Sequence, residues 1–138
     1  MWPDYLDNPR AIYSAFPNAV PALKDLRPGK LVIDFAGSIL LGLEAQPLPD
    51  GGPPRWREEG NDGLEYRFVF YDTSELSVLG TTQHLEPSVT LKLENGAAGL
   101  FSQDHAFEAA FKFHGVRIFL HPFSQARRID RQDFWPAS

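Results

Sequence analysis

Leu64-Glu65-Tyr66-Arg67-Phe68-Val69-Phe70-Tyr71 is the stretch that decides the fold. Leu64, Tyr66, Phe68 and Phe70 fall on every second position. Side chains alternate across a strand, so these four share one face and Glu65, Arg67, Val69 and Tyr71 share the other. A helix would scatter the four around its axis. The period of two predicts a central strand with an aromatic inner face.

The same period governs the chain on both sides of this strand. Leu31, Ile33 and Phe35 share one face of a predicted strand, and Ile39, Leu41, Leu43 and Ala45 share one face of the next, with Glu44 and Gln46 outward. Gly37-Ser38 is the expected two-residue turn, pairing Ala36 with Ile39. A shorter strand, Leu76 to Leu79, follows Asp72 to Glu75. Val89 to Glu94 leads into Asn95-Gly96, a type I′ turn signal, and back through Ala97 to Phe101. That turn sets Glu94 opposite Ala97 and Leu91 opposite Leu100. Phe107, Phe111 and Phe113 alternate with Glu108, Ala110 and Lys112. His114-Gly115 is read as the next turn, with Phe111 opposite Ile118 and Pro122 as the stop.

Before the strands, the period is helical. Asn8 is read as an N-cap and Pro9 as the first helical residue, with Ile12 and Phe16 on one side and Pro17-Asn18 as the stop. The expected class is α+β, mostly β: a twisted antiparallel sheet or half-barrel of about seven or eight strands with one N-terminal helix. Short connections favour antiparallel pairing. The expected organisation is one domain over residues 1–123 and a polar tail over 124–138.

Composition bounds the function. The chain has 138 residues, enough to bury a full core, and 43% are hydrophobic, with eleven Phe. It has no cysteine, which removes disulfides, thiolate metal sites and a cysteine nucleophile. The start, Met1-Trp2-Pro3-Asp4-Tyr5, is neither basic nor apolar, so a cytoplasmic protein without a membrane span is expected. The net charge of −5 is unevenly spread. Residues 58–108 hold ten acids against Arg67 and Lys92, while residues 109–138 hold five bases against two acids. The acidic middle is a poor nucleic-acid surface. It either solvates one face or attracts a basic partner.

Chemistry-bearing clusters are few. His114 and His121 stand seven positions apart on one strand, roughly 20 Å, too far to share a metal. His84 has no grouping, and His105 follows Asp104 without a nucleophile in any known pattern. The carboxylate pairs Glu58/Glu59 and Asp72/Glu75 sit in polar loops. No catalytic residue, metal or cofactor is expected. Pro47 to Pro54 is read as a stiff surface loop that delivers Arg55-Trp56-Arg57 and then Glu58, Glu59 and Asp62. These six residues are the candidate partner-binding set. Two readings of Trp56 stay open: an interface anchor, or a cover for the sheet edge with both arginines paired to nearby acids.

Several of these elements together resemble the Immunity protein 50 family. Asn8-Pro9 and the helix to Phe16 match its opening, although Phe16-Pro17-Asn18 lacks the family's glycine. Pro21 precedes a leucine-rich strand entry, Leu23 to Leu26. Pro53-Pro54-Arg55-Trp56 with Gly60-Asn61 resembles its proline-x-basic-tryptophan element, and Phe111 to Phe119 its final aromatic strands. The likeness covers residues 2–123. It implies a non-catalytic inhibitor in the cytoplasm that neutralises a cognate polymorphic toxin, a protein partner with a basic surface. A different class, a small-molecule or lipid carrier with a Phe-lined cavity in a curled sheet, is the alternative.

Overall fold

A computed structural model describes residues 1–81 and 88–127. Eight strands form two four-stranded antiparallel sheets. They are β1 (Arg27–Asp34), β2 (Ser38–Ala45), β3 (Gly63–Tyr71), β4 (Ser74–Gly80), β5 (Val89–Glu94), β6 (Ala97–Ser102), β7 (Phe107–Lys112) and β8 (Gly115–Phe123). The first sheet has the order β1-β2-β3-β8 and the second β4-β7-β6-β5. Two short helices are present, α1 (Arg10–Ala15) and α2 (Pro54–Glu58), with 3-10 turns at Trp2–Tyr5 and Gln125–Arg127. The expected β-rich class and strand number hold. His84 and residues 128–138, most of the expected tail, lie outside the described residues.

β3 is the spine. Leu64, Tyr66, Phe68 and Phe70 are fully buried, with β2 on one side and β8 on the other. Phe70 meets Phe111 and Phe113 of the second sheet edge-on, at centroid distances of 4.8 and 5.1 Å. Those contacts join the inner faces of the two sheets. Phe107, Ala109 and Phe111 face inward and Glu108, Ala110 and Lys112 outward, as their alternation requires. The Asn95-Gly96 hairpin also has the expected register, with Glu94 opposite Ala97 and Leu91 opposite Leu100.

Three expectations about the strands fail. The β1–β2 turn is not Gly37-Ser38. The Asp34 carboxylate accepts the Ala36 N–H at 2.9 Å, ending the strand early, and Gly37 takes the left-handed conformation at φ 105°. Asp34 therefore pairs with Ser38 and Ile33 with Ile39. The register moves by an odd number, which changes which face meets which. Phe35 leaves the strand and is fully exposed. Glu44, expected outward into water, is only 1% exposed and stands opposite Glu65, itself 2% exposed. Arg67 lies next along that face and its guanidinium bonds the Glu65 carboxylate, so part of the outer face of the first sheet is a buried ionic cluster.

The closing pair is the third correction. β7 and β8 are consecutive but do not pair. β8 joins β3, with Ile118 opposite Phe68, while β7 lies between β4 and β6. His114 donates its N–H to Tyr71 O at 3.1 Å, where β3 turns toward β4 and β7 turns into β8. Left-handed backbone at Asp72 and Glu75 marks that corner. The two strands bend together, so a short connection passes between sheets instead of closing a hairpin. At another seam, Leu26 bridges Val89 and joins the segment before β1 to β5.

Candidate functional site

Of the candidate residues, Arg55, Trp56, Arg57 and Glu58 sit on α2, a helical turn where a loop is expected; Glu59 caps its end and Asp62 lies beyond it. Pro54 occupies the first turn, where its missing N–H costs nothing and its fixed φ suits a helix. One turn suffices to separate the side chains. Trp56 points inward and is 6% exposed, packed edge-on against Phe16 at 6.0 Å and close over Gly52. Arg55, Arg57, Glu58 and Glu59 point outward, and Asp62 follows them on the surface.

Trp56 is buried, as a structural cover would be, and part of it also lines the surface beside α2. Its ring is a bolt that fastens the 47–57 segment to the core. Arg57 fastens the same loop from outside: its guanidinium donates to Leu48 O at 3.2 Å and Pro49 O at 3.4 Å, with Asp50 at 4.0 Å. Asp62 is partly engaged, accepting the Gln125 N–H at 3.1 Å. Arg55 makes no hydrogen bond or ion pair with the described residues. Of the six candidates, Trp56 and Arg57 build the platform, and Arg55, Glu58, Glu59 and Asp62 present charge.

Beside this platform lies an open groove of about 690 Å³ between α1, α2 and β8. One wall is Ala11, Ser14 and Ala15 of α1. The other is β8, where Phe119 is 50% exposed. Arg55 and Glu59 stand at its α2 side, and Trp56 contributes part of its lining. Sequence reasoning missed the β8 and α1 walls. A bulky aromatic at Phe119, out of phase with the inward Ile118 and Leu120, was the signal available.

Asn8 is the residue whose role changes most. It does not cap α1 with its side chain. Instead its amide donates to Ile118 O at 2.8 Å and accepts the Ile118 N–H at 3.0 Å. Asp7 N–H, one residue earlier, donates to Val116 O at 2.8 Å. The N-terminal segment thus covers the edge of β8 at Val116 and Ile118 as a strand would.

A second opening, about 370 Å³, lies near the Leu26–Val89 seam between the sheets. Leu31, Leu41 and Leu43 line it from the first sheet, and Val89, Leu100 and Phe107 from the second. Among the described residues Phe107 is its only aromatic. Phe68, Phe70, Phe111 and Phe113 are spent on core packing.

The described histidines, His105, His114 and His121, lie on separate elements. His105 sits on the exposed β6–β7 turn, stacked on Phe101 and 2.7 Å from Glu108. The Asp104 carboxyl is held below its usual range, first by the Ala106 N–H and then by the Ser102 hydroxyl. Those bonds make it the organiser of that turn. His114 lies 3.9 Å from Asp72 at the corner between sheets. Among the described residues, no group of three or more His, Asp or Glu is placed to hold a metal. None of the helices described is long and apolar enough to cross a membrane.

No family model, curated protein or solved structure matches the chain. The resemblance to the Immunity protein 50 family is carried by its short motifs alone.

Proposed function

We propose that this protein is a non-catalytic, cytoplasmic binding protein of the immunity type, which neutralises a toxin by covering it. The motifs of residues 2–123 supply the class. The observation that carries the surface is the outward acid set Glu58, Glu59 and Asp62, on and just after a helix that Trp56 and Arg57 bolt to the core. A rigid platform presents its charge with little entropy loss on binding. Acids in that arrangement favour a basic partner through faster encounter and fixed orientation.

The test is charge reversal. Glu58→Lys, Glu59→Lys and Asp62→Lys together are expected to lower the melting temperature only slightly, since exposed charges contribute under about 1 kcal/mol each and Asp62 gives up one bond, from the Gln125 N–H. They are expected to slow association with a cognate toxin and to flatten its salt dependence. Trp56→Ala is the contrast. Loss of a buried indole should cost about 3–5 kcal/mol of stability, with binding retained by whatever protein stays folded. Full protection of toxin-expressing cells by the triple reversal would remove this surface from the reading.

One observation favours a second reading, a carrier of a small apolar molecule: the aliphatic slot near the Leu26–Val89 seam. Its size falls within the range of ligand pockets. Native mass spectrometry of freshly purified protein decides it. A co-purifying mass that Leu100→Trp expels would favour the carrier, and bare protein would count against it.

A further inference from the structure

We infer that the groove between α1, α2 and β8 is a peptide site, which takes an extended segment of a partner protein as an added strand on β8 and sets an acidic residue of that segment against Arg55. The inference stands apart from the partner's being a toxin.

The argument begins with ladder parity. In an antiparallel pair, residues alternate between couples that exchange both main-chain bonds and couples that exchange none. Ile118 gives its N–H and its C=O to the Asn8 amide. The Phe68–Ile118 couple is therefore of the second kind. Leu120 lies two residues on, opposite Tyr66, and belongs to the same kind. Its N–H and C=O point away from β3, toward the groove that Ile118, Phe119, Leu120 and Pro122 line. No hydrogen bond from either group to a described residue is present.

The edge of β8 thus carries a row of main-chain groups at Val116, Ile118 and Leu120. Asp7 bonds the Val116 carbonyl, and Asn8 bonds both groups of Ile118. Asn8 does so with a side-chain amide, the chemical copy of a peptide group. Among the described residues nothing pairs with the third position, and the group that completes it is another peptide. Pro122 has no N–H and ends the row, so the added strand is short. The flanks fit an extended segment, whose side chains alternate: Ala11 and Ala15 leave room on the α1 side, and Phe119 offers half its ring on the other. Arg55 supplies the charge complement. It lines the groove, makes no ion pair with the described residues, and calls for a carboxylate.

The experiment is amide NMR of the whole chain titrated with a blocked probe, acetyl-Thr-Val-Asp-Val-Thr-amide. The expected result is a saturable downfield shift of the Leu120 amide. The same peptide with Lys for Asp should bind about two- to fivefold more weakly, the range of a single exposed ion pair. Arg55→Glu should reverse that order. Leu120→Pro removes the donor but no β3–β8 bond, and should abolish the response in Phe119 and His121. Ser14→Trp, an exposed change that fills the groove from α1, should do the same without touching the sheet. A Leu120 amide unmoved by about 10 mM probe, weaker than any useful contact, would overturn the site. So would equal shifts from a peptide N-methylated at each residue, which cannot pair as a strand. Equal affinity of the Asp and Lys probes would overturn the role given to Arg55. A concentration-dependent dimer that Leu120→Pro dissolves would show that the occupant is a second copy instead. None of these failures touches the acid set of α2, which charge reversal tests separately.

Discussion

Asn8 and Tyr66 show how one polar atom can matter or not. Asn8 replaces a strand partner, so Asn8→Ala strips both bonds from Ile118 at once. The expected cost is about 1–3 kcal/mol, read by chemical denaturation, because the Ile118 N–H and C=O lose their partners. Asn8→Asp keeps the acceptor and loses the donor, and should fall between. Tyr66 is the opposite case. Its hydroxyl is buried without a hydrogen-bond partner among the described residues, and burial pushes its pKa well above the ordinary value of about 10. The folded state therefore keeps a proton that the unfolded chain releases. The stability this group contributes is intact below about pH 10 and falls as the pH rises above it. Tyr66→Phe should be neutral or stabilising at pH 7 and should weaken the alkaline loss, as followed by the unfolding midpoint from pH 8 to 11. Neither role was legible in the sequence. Asn before Pro fits a helix cap equally well, and alternation places Tyr66 inside without saying what its hydroxyl meets.

At the scale of elements, period was a better guide than pairing. The alternation of Phe107, Phe111 and Phe113 put the right side chains inside, and Phe111→Ala should destabilise by about 3–5 kcal/mol. Lys112→Ala should cost little, since Lys112 is exposed and its ion pair with Glu75, at 2.8 Å, lies in solvent. Equal losses in urea melts would mean that this face assignment is wrong. Partners were harder to read. A two-residue link between β7 and β8 looks like a hairpin, yet the corner at Tyr71 and His114 carries both strands into different sheets. Local sequence fixes side-chain period, whereas pairing depends on strands far away along the chain. The Asp34 turn lies between these limits. Its signal, Asp two residues before an N–H it can capture, was present but outweighed by Gly37-Ser38. For the candidate site, the charges Arg55, Glu58, Glu59 and Asp62 were legible as a cluster. That Trp56 is a bolt required knowing where Phe16 lies.

For the whole molecule, the decisive fact is which ends meet. β3 at the centre takes β8 as its second neighbour, and Asn8 closes on Ile118 across 110 positions of sequence. Consider this on a ribosome, adding about 5–20 residues each second. β1, β2 and β3 can pair as they emerge, but the far edge of β3 has nothing to bind until residues 115–123 are free of the exit tunnel. During that interval Phe70 is already made, and the rings of Phe111 and Phe113 that pack on it are still to come. The domain is then an unfinished sheet with an aromatic face and an open edge, the form that chaperones hold and aggregates recruit. A nascent chain interrupted before β8 leaves no smaller working version of the protein. It leaves a substrate for the cell's proteases.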